Sequence, residues 1–150
     1  MDKVAANALK RARNIRHITQ EGLAEMSGWS VDMIQAWERS TRMPSLETLH
    51  ELAKYLDSPW LPDTYIRERT DVLNDIIPDY QANRPLAEAV AGYINAVLDL
   101  VDERFDRKLL RIVADGCVDA LEKETYQRLM DKAQEVNKAY YEMRFAKTDV

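Results

Sequence analysis

Over the first sixty positions, apolar residues recur every three or four places in short runs, and each run is broken by small polar residues. That period predicts short helices that each bury one face. Leu9, Ala12 and Ile15 define a first helix over 3–16. Leu23 and Ala24 define a second over 20–26, with Thr19 in place to cap it. Gly28, in the break Ser27-Gly28-Trp29, supplies the positive φ that ends a helix cleanly. Ser30 then caps a third helix over 31–39, in which Ile34 and Trp37 share a face. After Pro44, Ser45 caps a fourth helix with the stripe Leu46, Leu49, Leu52, Ala53 and Leu56, closed by Asp57-Ser58-Pro59.

The second half carries longer runs. Tyr65, Ile66, Val72, Leu73, Ile76 and Ile77 predict a helix over 63–77, and residues 79–85 read as a connector. Val90, Tyr93, Ile94, Val97, Leu98 and Val101 mark a long amphipathic helix starting at Leu86. A short helix follows over 109–114 and stops at Asp115-Gly116. A last helix spans 120–145, with Leu121, Tyr126, Leu129, Met130, Ala133, Val136, Tyr140, Tyr141 and Phe145 as its apolar positions. No stretch alternates over strand length, so an all-α fold is expected. The expected organisation is a small helical domain over 1–60, a helix and connector over 61–85, and a helical hairpin or small bundle over 86–150.

Composition narrows the function classes. Hydrophobic residues make up 46% of the chain and charged residues 31%, as in a globular protein. No apolar run is long enough to span a membrane, and the N-terminus lacks a signal-peptide core, so a cytoplasmic protein with no membrane partner is expected. The single cysteine, Cys117, can form neither an internal disulfide nor a metal cluster. The net charge of −5 is unevenly spread. Residues 1–57 hold eight basic and eight acidic side chains, and the whole excess of acid lies beyond them. Lys3, Lys10, Arg11, Arg13 and Arg16 cluster near the start, opposed before residue 20 by Asp2 alone. Phosphate binding depends on such local charge and not on the total.

The sharpest motif is a set of residue types at fixed offsets. With Gln20 as position one, Ala24 is five, Gly28 nine, Ile34 fifteen and Trp37 eighteen. A small residue at Ala24 lets two helices cross closely, and Gly28 permits the turn between them. Ile34 and Trp37 then anchor the second helix so that its opposite face stands out toward a DNA major groove. With Leu9-Lys10-Arg11-Ala12-Arg13, Thr19-Gln20-Glu21-Gly22-Leu23-Ala24, Trp37-Glu38-Arg39 and Pro44-Ser45-Leu46-Glu47-Thr48-Leu49, the segment from Leu9 to Leu56 resembles the Cro/C1 (XRE) family of bacterial and phage repressors, which have a lambda-repressor-like fold.

The resemblance implies a structural ion pair between Arg13 and Glu38. It also implies double-stranded DNA as partner. Gln20 would bond a phosphate, and Ser30, Val31, Asp32, Gln35 and Ala36 would face the bases. Arg39, Thr41 and Arg42 would reach the flanking phosphates. In base-edge chemistry, Gln35 suits adenine, Val31 and Ala36 suit a thymine methyl, and Asp32 suits the cytosine amino group. The sequence departs from the family pattern in two places. Ser40 stands where a glycine is usual, and the recognition helix has no basic residue before Arg39.

Asp115-Gly116-Cys117-Val118-Asp119-Ala120-Leu121-Glu122 imitates the second half of a calcium-binding EF-hand loop. The first two ligand positions then fall on Arg111 and Val113, which cannot bind calcium. A turn at Asp115-Gly116 followed by a capping box of Asp119 and Glu122 is the better reading. The same block is loosely similar to one in the C-terminal halves of clostridial-type regulators. His17, His50 and Cys117 lack any paired catalytic motif, so no catalytic residue, metal or cofactor is expected. Two long amphipathic helices joined by a short one form a hairpin with surplus apolar surface, including Tyr93, Leu98, Tyr126, Tyr140, Tyr141 and Phe145. A homodimer would bury it and set two recognition helices about one DNA turn apart; alternatively these residues close a bundle with the Tyr65 helix of the same chain. Three functions stay open: a transcriptional regulator, expected to be a repressor; an antitoxin-like or adaptor module with a protein partner; and a ligand sensor with a pocket between the C-terminal helices.

Overall fold

The computed structural model describes residues 7–73 and 76–148, with Val72 by its backbone alone. The described residues hold eight α-helices, one short 3-10 turn and no strand beyond an isolated bridge between Pro85 and Lys147. The chain divides into two compact units, Met1–Ile76 and Ile77–Val150.

Unit 1 comprises α1 (Ala8–Ile15), α2 (Gln20–Ser27), α3 (Val31–Glu38), α4 (Leu46–Tyr55), α5 (Leu61–Arg67) and a 3-10 turn at Asp71–Leu73. Short polar side chains start the first four helices by accepting otherwise orphaned N–H groups. Asn7 accepts from Lys10, Thr19 from Gly22, Ser30 from Met33 and Ser45 from Thr48. α1 starts at Ala8 where the pattern predicts Lys3, and residues 3–6 lie outside the described part. Gly28 ends α2 at φ +76° and donates to the Ala24 carbonyl. The helices pack around Leu9, Leu23, Ile34, Trp37, Leu49, Leu52, Leu56, Leu61 and Tyr65, all buried. Leu46, expected in that core, is 62% exposed.

The helix expected over 63–77 is shorter and earlier. Pro62 lies in the first turn of α5, where a missing N–H costs nothing. α5 ends at Arg67, ahead of Thr70 and Asp71, which compete for backbone groups. It packs against α1 and α4, with Tyr65 buried in unit 1.

Unit 2 is a hairpin of α6 (Leu86–Asp102) and α8 (Lys123–Arg144), linked through α7 (Phe105–Ile112), which touches both. The stretch 79–85, expected to be a bare connector, is packed into this unit. Tyr80 is buried and stacks on Tyr141 and Phe145 at ring distances of 5.2 and 5.5 Å. Asn83 donates to the Phe145 carbonyl, and Lys147 donates to that of Arg84. Glu142, buried, accepts from Arg84 at 2.5 Å and from the Gln81 N–H. Before α8 the reciprocal bonds of a capping box are present. Asp119 accepts from the N–H of Leu121 and Glu122, and the Glu122 carboxylate accepts from the Asp119 N–H. Leu121, expected on the apolar face of the last helix, is 91% exposed. Within the described residues no helix is long and apolar enough to cross a membrane.

Candidate nucleic-acid interface

Ile34 and Trp37 sit on the inner face of α3, fully buried or nearly so, and Trp29 meets Trp37 edge-on at 5.3 Å. The helix is thereby held from behind. Its other side presents Asp32 exposed and Val31, Gln35 and Ala36 half-buried, with Ser30 exposed at the N-cap and Arg39 exposed at the C-cap.

A chain of polar contacts fixes this face to the domain. Glu38, the last residue of α3, takes a bidentate pair from Arg13 of α1 at 2.7 and 3.1 Å. The side chains of that pair are only 11% and 3% exposed. Arg13 also donates to the Ile18 carbonyl, which leaves the guanidinium well partnered. Gln20 donates its amide N–H to Glu38 at 2.8 Å and accepts from Gln35 at 3.2 Å. Gln35 thus has one N–H and its carbonyl left over, the complement of an adenine edge. Gln20, expected to turn its amide to a phosphate, has its carbonyl engaged by Gln35 and one N–H engaged by Glu38, which leaves its second N–H over.

The segment after α3 is anchored just as closely. The Trp37 carbonyl accepts from the Asn7 side chain at 2.7 Å and from the Tyr65 hydroxyl at 2.9 Å. Burial pushes the Tyr65 phenol above its ordinary pKa, against the pull of Arg69. Ser40 adopts φ +62°, the left-handed conformation that a glycine would take without strain. Thr41 donates its N–H and hydroxyl to the Ala36 carbonyl. Arg42 is exposed and lies against the Met33 sulfur.

The early basic cluster fares differently from its reading as phosphate-facing charge. Arg11 pairs with Glu68, Arg13 with Glu38 and Arg16 with Asp57. Folding brings a carboxylate beside each, but only the Arg13 pair is buried, while Arg11 and Arg16 stay partly exposed. Lys10, Arg39 and Arg42 remain exposed, while Lys3 is outside the described residues. An open cleft of about 660 Å³ lies beside the start of α2, lined by Lys10, Arg13, Asn14, His17, Thr19 and Gln20 among others. Asn7, Asn14, His17 and Tyr65 were not singled out as site residues in the sequence. Asn7 and Tyr65 act through long-range bonds to Trp37 that no local pattern announces.

A family model described as helix-turn-helix matches residues 9–61. The matched segment is α1–α4 with the start of α5, and it is a Cro/C1-type helix-turn-helix domain, a DNA-binding domain of transcription regulation. The match stops short of unit 2, so the loose likeness of the 115–122 block to clostridial-type regulators finds no support in it. No curated protein and no solved structure matches the chain.

Proposed function

We propose that the protein is a cytosolic transcriptional repressor that binds, as a homodimer, an operator with two-fold symmetry. Ser30, Val31, Asp32, Gln35 and Ala36 read bases, while Arg39 and Arg42 hold the backbone, Gln20 adds the amide N–H that Glu38 leaves over, and Thr41 joins them by turning its hydroxyl away from the Ala36 carbonyl. One observation carries this reading. α3 is anchored by Ile34, Trp37 and the Arg13–Glu38 pair, and its outer face carries a Gln35 oriented by Gln20 and ends at an exposed Arg39. A preorganised amide beside an exposed guanidinium is the chemistry of base reading next to a phosphate clamp.

Fluorescence-polarisation binding to duplexes selected from the host genome, over a salt series, tests it. The expected result is preference for a palindromic site and a steep salt slope. Arg39→Ala should weaken all duplexes alike and lower that slope by about one. Gln35→Ala should cost about 1–3 kcal/mol of discrimination at one base position. Feeble binding without preference would sink the reading. It would favour the adaptor alternative, which the exposed Asp32 and the absence of a basic residue from the last turn of α3 support.

A further inference from the structure

α6 has two apolar faces. One packs on α8 through buried Ala89 and half-buried Val90, Tyr93 and Val97. The other is made by Ala87, Ala91, Ile94, Leu98 and Val101, every one of them exposed; Ile94, Leu98 and Val101 keep 50, 51 and 65% of their surface. The steps along this second face are four, three, four and three residues. That is the a/d spacing of a helix seam built to receive another helix. α8 shows what a solvent face looks like in the same unit: Glu124, Gln127, Asp131 and Gln134 are exposed on it. The seam thus sets α6 apart from α8, while Leu110 and Leu121 are the other strongly exposed apolar side chains described in unit 2.

Two properties of the seam select its occupant. The first is size. The N-terminal half offers only alanines and the C-terminal half offers leucine and valine, with Ile94 midway. A second α6 running antiparallel sets each small half against a large half, so that the surface complements itself about a two-fold axis. A parallel copy would set alanine on alanine and leave a gap at one end. The second property is charge. α6 ends in Asp99 and Asp102 with no basic residue in its last turn, against its own dipole. An antiparallel partner brings the positive end of its helix to those carboxylates, with Arg84 just before that end paired within its own chain to Glu142 and to Glu88 of the first turn. Parallel pairing would collect four carboxylates and two negative helix ends in one place.

We propose that a second copy of this chain occupies the seam, with its α6 antiparallel across a two-fold axis near Ile94. This deepens the homodimer of the proposed repressor and rests on it. Because the five side chains are exposed in the single chain, changing them perturbs association and not the fold of unit 2.

The test uses the full-length chain with Cys117→Ser. Ala87→Cys and Val101→Cys chains are oxidised separately and after mixing. Positions 87 and 101 are about 21 Å apart along one helix, so antiparallel pairing yields linked dimers in the mixture and none from either chain alone. Linkage of each chain with itself would establish parallel pairing and overturn the proposal. In parallel, Leu98→Glu should weaken the dimer at least about tenfold by sedimentation, with helical content unchanged by circular dichroism, because it places a charge in an apolar seam. An undiminished Leu98→Glu dimer, or a wild-type chain that stays monomeric, would equally overturn it. Binding to the genome-selected duplexes is measured on the same samples. A dimer formed elsewhere that still prefers its operator removes the seam and keeps the repressor. A seam dimer without DNA preference does the reverse.

Discussion

The two units are of nearly equal length but differ in how they use their apolar residues. Among the described residues, thirteen buried apolar side chains lie in unit 1 and five in unit 2. Unit 1 closes its core by itself and buries one ion pair in it, Arg13 with Glu38, while the partly exposed Arg11 pairs with the Glu68 carboxylate that also caps the Ala8 N–H. Unit 2 leaves Ile94, Leu98, Val101 and Leu110 at least half exposed. Its best-packed corner is the Tyr80, Tyr141 and Phe145 stack held by Arg84 and Glu142. A self-sufficient core suits a reading head that must keep its geometry while it binds. Unburied apolar surface suits a unit completed by association.

The largest effect should come from the ion pair of unit 1. Glu38→Ala leaves the Arg13 guanidinium buried and unpaired, at a cost of about 3–5 kcal/mol, read as a lower urea midpoint for unit 1 with unit 2 unaffected. A shift of less than about 1 kcal/mol would show the pair to be solvated in solution. Next come matched truncations. Leu52→Ala in unit 1 should cost about 2–5 kcal/mol at any protein concentration, whereas Leu98→Ala in unit 2 should stay within about 0.5 kcal/mol in dilute solution. Equal costs at high dilution would erase the contrast between the units.

Two smaller effects sharpen the account of the α3 anchor. Tyr65→Phe removes the bond to the Trp37 carbonyl and should cost about 1 kcal/mol. The same variant has a pH signature. The folded phenol pKa lies above its unfolded value, so its contribution is complete below about pH 10 and is lost as pH rises through the folded value. Alkaline unfolding of the wild type should therefore steepen above pH 10, and that of Tyr65→Phe should do so less. Ser40→Gly relieves the left-handed strain and should raise stability by about 1 kcal/mol, less the contribution of the Asn7 contact to the Ser40 hydroxyl. A destabilised Ser40→Gly would mean that the hydroxyl bond outweighs the strain.

Much of unit 1 was legible in the sequence. The caps Thr19, Ser30 and Ser45, the turn at Gly28 and the burial of Ile34 and Trp37 all follow from spacings of one to four residues, whereas the Arg13–Glu38 pair was implied by the family resemblance alone. The sequence named candidate positions for a site but not the network that ties them together. That Gln20 serves Gln35 and Glu38, and that Tyr65 serves Trp37, depends on contacts across fifteen to twenty-eight residues of sequence.

Helical period and caps are local properties, and through them the chain by itself determined where α2, α3, α4 and α6 begin, that the described residues form no sheet, and which face of α3 turns inward. Tertiary structure alone decided which of the two apolar faces of α6 is covered, that Tyr80 leaves the connector for the core, and that Arg11 and Arg16 spend their charge on Glu68 and Asp57. Each of those outcomes is set by a partner about twenty or more residues away, and periodicity carries no information about which distant group will arrive.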